Sequence, residues 1–316
     1  MSAMSSVATI TWDSLRDGPA EYRTPPVKPT LAEAKKWCRH LASTHYENFH
    51  VATFFLPKKV RPHFESIYAY CRVADDLGDE VNSPEVATHL LHTWEAMLNE
   101  CYDDPKNSRH PVFVALHETI KQTGVPRELF SNLLRAFRQD QVKTRYESMA
   151  ELMDYSRDSA NPVGRLVLWV CGYREESICQ LSDKVCTALQ LANFWQDIYE
   201  DYERGRRYVP AEEMRRFSAT DEQIAERRFN ADFWRLMQSL VERTRKMLHE
   251  GAAITGRVDR ELAATLELFC KGGDAILDAI EAQGFDVLRQ RPEVSKSRKA
   301  RLLAGALAGK IRGSLA

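Results

Sequence analysis

Gln190-Leu-Ala-Asn-Phe-Trp-Gln-Asp-Ile-Tyr-Glu-Asp201 places Gln190, Asn193, Asp197 and Asp201 at spacings of 3, 4 and 4. Those intervals align on one face of an α-helix, and the residues between them are mostly apolar or aromatic. A β-strand would instead alternate with period 2. Buried amides and carboxylates are unfavourable unless something binds them, so this helix predicts a ligand.

The device recurs more than 100 residues upstream, in Ile67-Tyr-Ala-Tyr-Cys-Arg-Val-Ala-Asp-Asp-Leu-Gly-Asp-Glu80. Tyr68, Arg72, Asp75 and Asp79 stand at spacings of 4, 3 and 4, again one stripe. Carboxylates one helical turn apart have Cβ atoms about 5–6 Å from each other and repel unless a cation lies between them. A solvated acidic helix end is the ordinary source of such a run. The apolar and aromatic residues in the preceding turns argue against it here. Two helices, each with an i,i+4 aspartate pair facing a core, make a cage of hard oxygen ligands that suits Mg²⁺ and its bridges to phosphate. Arg72, Arg204, Arg206 and Arg207 lie near the two acidic faces, which suggests a metal-bound diphosphate gripped from its other side.

Around these helices the chain reads as all-α. Thr30 opens a helix with a capping box to Glu33, and Ser83-Pro84 is a second start signal. Pro126 starts another at 126–139, where Leu129, Leu133, Leu134 and Phe137 recur at helical spacing. Further helical patterns cover about 59–79, 84–102, 111–123, 149–159, 163–172, 177–203, 220–228, 231–251 and 258–284. Hairpin signals are missing. The expected organisation is a loosely ordered arm over 1–28, one helical domain over 29–290, and a basic tail over 291–316.

Several function classes drop out. With 44 Lys+Arg against 45 Asp+Glu the chain is nearly neutral, which argues against nucleic acid as a partner. No apolar run approaches the roughly 20 residues of a membrane span. Residues 1–28 lack an export signal, so the expected compartment is the cytoplasm. Seven cysteines without a Cys-x-x-Cys pair fit a reducing compartment and neither a zinc site nor a disulfide framework. Only one Glu-x-x-His occurs, Glu47 to His50, where a di-iron bundle would want two. No Gly-x-Gly-x-x-Gly follows a strand, and no nicotinamide cofactor is expected.

These motifs resemble the squalene/phytoene synthase family of head-to-head prenyl-coupling enzymes, over roughly residues 35–285. The resemblance implies an isoprenoid-synthase helical bundle with two facing aspartate-rich helices and Mg²⁺ bridging a prenyl diphosphate. Asp75-Asp-Leu-Gly-Asp79 stands at the first motif and Asp197-Ile-Tyr-Glu-Asp201 at the second, making Asp75, Asp79, Asp197 and Asp201 the implied metal ligands. Tyr68 and Arg72 match the approach to the first motif. Tyr155 and Gly164 match the helix with small residues beside the reacting carbons. Gly205-Arg206-Arg-Tyr208-Val-Pro210 matches the loop closing over the diphosphate.

The local departures are as informative. His45-Tyr-Glu-Asn-Phe-His50 replaces a basic-Ser-Phe segment, Gln196 replaces an Arg, and Ser159-Ala-Asn-Pro162 replaces Val-Ala-Gly. This set is similar to the hydroxysqualene synthase branch of bacterial hopanoid pathways, which converts presqualene diphosphate to an alcohol. The implied catalytic residues are Tyr68, Arg72, Tyr155 and Asn193. Phe49, Arg72, Gln190, Arg206 and Tyr208 are the implied substrate contacts, with Phe49, Tyr68, Tyr155 and Phe194 as aromatic stabilisers of a carbocation. Condensation of two prenyl diphosphates is the nearest alternative, and a non-catalytic assembly protein is another. A dead scaffold, however, has no reason to keep four facing aspartates.

The tail adds a membrane expectation. Residues 294–316 carry Lys296, Arg298, Lys299, Arg301, Lys310 and Arg312 and no acid. Ala300, Leu303, Leu307 and Ile311 give a thin apolar stripe if the segment is helical, broken by Gly305, Gly309 and Gly313. Such a helix can lie on the inner, anionic leaflet; the alternative is a disordered solvated tail. Enzymes of the same pathway are the other expected partners.

Overall fold

Thr30 caps the first helix, α1 (Leu31–Thr44), as its sequence predicts. Its amide donates to Glu33 Oε2 at 2.8 Å, and the Glu33 amide donates to Thr30 Oγ1 at 3.3 Å. The computed structural model describes residues 15–44, 56, 58–81 and 83–314, with residues 307–314 as backbone alone. The chain divides into two compact units, residues 1–50 with 62–142, and residues 51–61 with 143–316.

In the first unit, α2 (Arg61–Asp79) is followed by α3 (Pro84–Asp103), α4 (Pro111–Thr123) and α5 (Arg127–Asp140). Prolines at the first turns of α3 and α4 cost no hydrogen bond there. α1 packs on α4, and α3 packs on α4 and α5. The core is aromatic: Tyr70 and Phe130 meet edge to face at 4.9 Å, and Trp94 lies 4.4 Å from Phe113. Within the expected loose arm, Leu15, Tyr22 and Thr24 are buried, so these three side chains are held by the folded unit while Arg16, Asp17, Ala20, Glu21 and Arg23 stay exposed.

The second unit contains α6 (Met149–Ser159), α7 (Asn161–Cys171), α8 (Glu176–Gln196), α9 (Ile198–Glu203), α10 (Ala211–Arg216) and α11 (Asp221–Ala225). It continues through α12 (Ala231–Gly251), α13 (Arg260–Ala282) and α14 (Lys296–Ser314). α8 is central, in contact with α7, α12 and α13. Trp195 of α8 is fully buried, donating from Nε1 to Thr244 Oγ1 of α12 at 2.8 Å. Gly164 of α7 permits the close approach of α8. A Cβ there would stand 2.5 Å from Cys186 Sγ and nearer still to Ser182 Oγ.

Among the described residues the only extended pairing is an isolated bridge between Arg145 and Arg207. The expected helix over 177–203 is two helices, because Asp197 leaves helical geometry at φ −105°, ψ 15°. The short α10 has no counterpart among the expected helices. Six residues are too few to show a 3.6-residue period.

Candidate functional site

The first aspartate-rich segment closes α2. Tyr68, Arg72 and Asp75 are half-buried and Asp79, the last helical residue, is exposed. A carboxylate at a helix C-terminus faces the negative end of the macrodipole, so positive charge there is favoured. Arg72 supplies part of it. Its Nε donates to Asp76 Oδ2 at 2.9 Å, its NH2 pairs with Asp76 Oδ1 and lies 3.4 Å from Glu80, and its NH1 reaches Asp75 at 3.5 Å.

Asp76 is the buried acid of this segment, at 2% exposure, and the sequence reading passed over it. It also accepts a hydrogen bond from the Tyr22 hydroxyl. Tyr22 is pinned from its other end, where its carbonyl lies 3.0 Å from His110 Nε2. His110 Nδ1 accepts from the Val112 amide at 3.2 Å, which puts the ring proton on Nε2 and makes it the donor to Tyr22. Burial pushes His110 down to about 4, so the ring is neutral. Asp76, Tyr22 and His110 thus form a buried network beneath the aspartate pair, and Arg72 links it to Asp75.

The second segment ends α8 and forms α9. Gln190, Asp197 and Asp201 are half-buried, but Asn193 is exposed, so the expected burial of that side chain is corrected. The backbone turn survives the break, since Asp197 N donates to Asn193 O at 2.9 Å and Asp201 N to Asp197 O at 2.8 Å. Asp197 and Asp201 therefore remain one turn apart. Desolvation, then the Asp197 charge, push Asp201 up to about 6. Arg204 and Arg206 oppose that rise without cancelling it.

Arg206 and Tyr208 are placed by a turn that requires glycine. Gly205 has φ +79°, and the Gly205 amide donates to Tyr202 O at 2.9 Å while the Arg206 amide donates to Asp201 O at 2.8 Å. This Schellman closure of α9 holds Arg206 beside Asp201. Beyond it, Arg207 N donates to Thr144 O at 2.7 Å and Ala211 N to Tyr146 O at 3.0 Å, so the loop lies along residues 144–147. Tyr208 is thereby stacked on Phe194 at 3.7 Å and 7°. Tyr155 lies 6.4 Å from Phe194 and 6.2 Å from Tyr208, and Tyr146 lies 5.4 Å from Tyr155. Four rings so form one aromatic wall, and Phe194 places it on the helix that leads into Asp197. Tyr146 was missed because nothing in its local sequence marks it.

The Ser159-Ala-Asn-Pro162 segment is wired to α8. Ser159 Oγ and Gln190 Nε2 are 2.8 Å apart, and Thr187 Oγ1 donates to Asn161 Oδ1 at 2.8 Å. Gln196 is buried, donating to Pro292 O at 2.5 Å and accepting from Arg291 at 3.0 Å. Arg291 in turn donates to both oxygens of Asp197 and lies 3.2 Å from Glu200. Phe49 lies outside the described residues. Among those described, no three His, Cys, Asp or Glu residues gather closely enough to hold a metal by themselves. Each unit by itself offers a pair.

The family model for squalene/phytoene synthase matches residues 42–298. The chain belongs to the squalene/phytoene synthase family. Enzymes of this family process prenyl diphosphates and are generally metal-dependent. Chloroplastic phytoene synthase of Daucus carota is 30% identical to this member over 280 residues, 85% of this chain and 69% of its relative. Hydroxysqualene synthase of Sinorhizobium fredii (strain NBRC 101917 / NGR234) is 29% identical over 252 residues, 79% of this chain and 84% of that enzyme. The crystal structure of squalene synthase HpnC from Alicyclobacillus acidocaldarius aligns with a TM-score of 0.77 at 41% identity, covering 81% of this chain and 95% of its own. A dehydrosqualene synthase solved with a ligand aligns at 0.79 over 88% of this chain and 96% of its own, and at 24% identity it supports the fold alone.

Proposed function

We propose that this family member ionises presqualene diphosphate and captures the rearranged cation with water, giving hydroxysqualene and diphosphate. Most support comes from Ser159 and Asn161, whose hydrogen bonds tie the branch-marking segment onto α8, the helix that leads into the second aspartate motif. The similarity to a hydroxysqualene synthase supports it independently.

Asp75, Asp79, Asp197 and Asp201 are the residues that would hold Mg²⁺. Their chemistry fits a hard divalent cation: hard oxygen donors paired one turn apart, with the Asp197 charge repelling Asp201. Bound there, Mg²⁺ supplies Lewis-acid neutralisation of the leaving diphosphate. Arg72 and Arg206 grip the diphosphate, and Gln190 and Asn193 orient it. The C–O bond pair departs with diphosphate, leaving a cyclopropylcarbinyl cation that opens by rearrangement. The wall of Tyr155, Phe194 and Tyr208 offers π-faces that would stabilise that cation, and Phe49 and Tyr68 are the other aromatic candidates. Water adds its oxygen and releases one proton, so charge balances without a reductant.

Condensation of two prenyl diphosphates is the second reading, favoured by the similar identity to phytoene synthase. Purified protein with Mg²⁺ and presqualene diphosphate should yield hydroxysqualene without NADPH, identified by mass spectrometry. Added NADPH should leave the product unchanged. Squalene formed only with NADPH, or turnover of farnesyl or geranylgeranyl diphosphate alone, would overturn the proposal.

A further inference from the structure

The C-terminal basic segment is a helix seated on the second unit. α14 packs along α13, and Arg298 pairs with Asp278 of α13. Arg298, Leu302 and Ala306, at intervals of four, are half-buried and form the seated side. The other side carries Lys296, Lys299, Ala300, Arg301, Leu303 and Ala304, all exposed. Among the described residues Lys296, Lys299 and Arg301 enter no ion pair, whereas the neighbouring acids of α13 are occupied. Asp274, Asp278 and Glu281 all pair with Arg245, at 3.2, 2.8 and 3.0 Å, and Asp274 also meets His249.

We propose that this outer face of α14 docks on an anionic lipid bilayer. A free cationic face fits any polyanion, and the apolar residues select among them. Leu303, with 38% of its surface exposed, lies among the cations, flanked by Ala300 and Ala304. Phosphates of a nucleic acid gain nothing from an apolar strip, whereas the headgroup and acyl boundary accepts both parts of the pattern. Arg298 is already consumed in seating the helix, so the docking charge comes from the other cations. No described helix is long and apolar enough to cross a membrane, which makes this a surface contact. The proposal is independent of which prenyl diphosphate the enzyme consumes.

Flotation of the full chain with phosphatidylcholine vesicles containing 30% phosphatidylglycerol, as a chosen probe, tests it. Binding is expected at low salt, with release in high salt as exposed charges are screened. The triple charge reversal Lys296→Glu, Lys299→Glu, Arg301→Glu should reduce the bound fraction at least tenfold, and Leu303→Asp alone should reduce it severalfold. Circular dichroism and turnover in detergent should stay unchanged in both variants, because these side chains face solvent. Equal binding to pure phosphatidylcholine, or wild-type binding by the triple variant, would overturn the proposal. Retention on heparin with no vesicle binding would also overturn it and assign the face to a soluble polyanion.

Discussion

Arg291 lies against Asp197 although 94 residues separate them. Its Nε donates to Oδ1 at 2.5 Å and its NH2 to Oδ2 at 3.3 Å. The resemblance to coupling enzymes implies an arginine just before the second motif, and here that position is Gln196. The amide holds the arginine that stands beside Asp197, accepting from Arg291 and donating to the carbonyl of Pro292. The positive charge lost next to the motif is therefore restored from the far end of the domain.

This pair predicts competition with metal. In Arg291→Gln the Asp197 carboxylate loses a cation that any metal must otherwise share or displace. A partly exposed ion pair contributes up to about 1 kcal/mol, so Mg²⁺ should bind roughly two- to fivefold more tightly. Isothermal titration of metal into substrate-free protein measures this directly. Unchanged or weaker binding would show that Arg291 supports the metal site instead of opposing it.

Much of this was legible in the sequence. The helices, the capping box at Thr30 and the two aspartate stripes followed from periodicity and from local hydrogen-bonding chemistry. Asp76 was not, because adjacent aspartates look alike until the helix turns one of them into the core. Tyr22, Tyr146 and Arg291 act through contacts 54, 62 and 94 residues away, with Asp76, Tyr208 and Asp197 respectively, and no local pattern records such distances. Asn193 shows the converse. Its spacing matched the polar face, yet it sits on the exposed edge of that face.

The two neighbouring aspartates of the first motif should separate function from folding. Asp79 is exposed at the helix end, so Asp79→Ala should abolish Mg²⁺-dependent turnover while leaving the thermal midpoint almost unchanged. Asp76 is buried with Arg72 and Tyr22 as partners. Asp76→Ala takes from a half-buried guanidinium its closest partner, leaving only the longer contacts to Asp75 and Glu80, and should cost about 3 kcal/mol, the low end for breaking a buried pair. Near-normal activity in Asp79→Ala would remove it from the metal site; a stable Asp76→Ala would deny the network its structural role.

Gly164 should be required for packing rather than for backbone freedom. Gly164→Ala puts a methyl onto Ser182 Oγ and Cys186 Sγ, so those side chains or the two helices must shift. Overpacking of this kind costs about 1–3 kcal/mol. Trimming the obstruction with Ser182→Gly and Cys186→Ala should return most of that loss, giving a favourable coupling in a mutant cycle followed by urea unfolding. Additive losses would place the strain elsewhere.

His110 should leave an acid-side signature on stability. Burial pushes the folded ring down to about 4, against about 6.5 in an unfolded chain. Below pH 6.5 the unfolded chain therefore binds a proton that the folded chain refuses, and stability falls as pH falls. The loss accumulates between about pH 6.5 and 4 and reaches about 3 kcal/mol, because one pKa unit is about 1.4 kcal/mol. Below that window both states are protonated and the loss stops growing. Carboxylates add their own acid slope, so the measurement is a difference: urea unfolding of wild type and His110→Gln at several pH values. The variant should be less stable at pH 7, where it loses the ring's packing against Trp94 at 4.9 Å, yet should lose less on acidification. Parallel pH profiles for the two proteins would mean that the ring takes up its proton without unfolding the core around Tyr22.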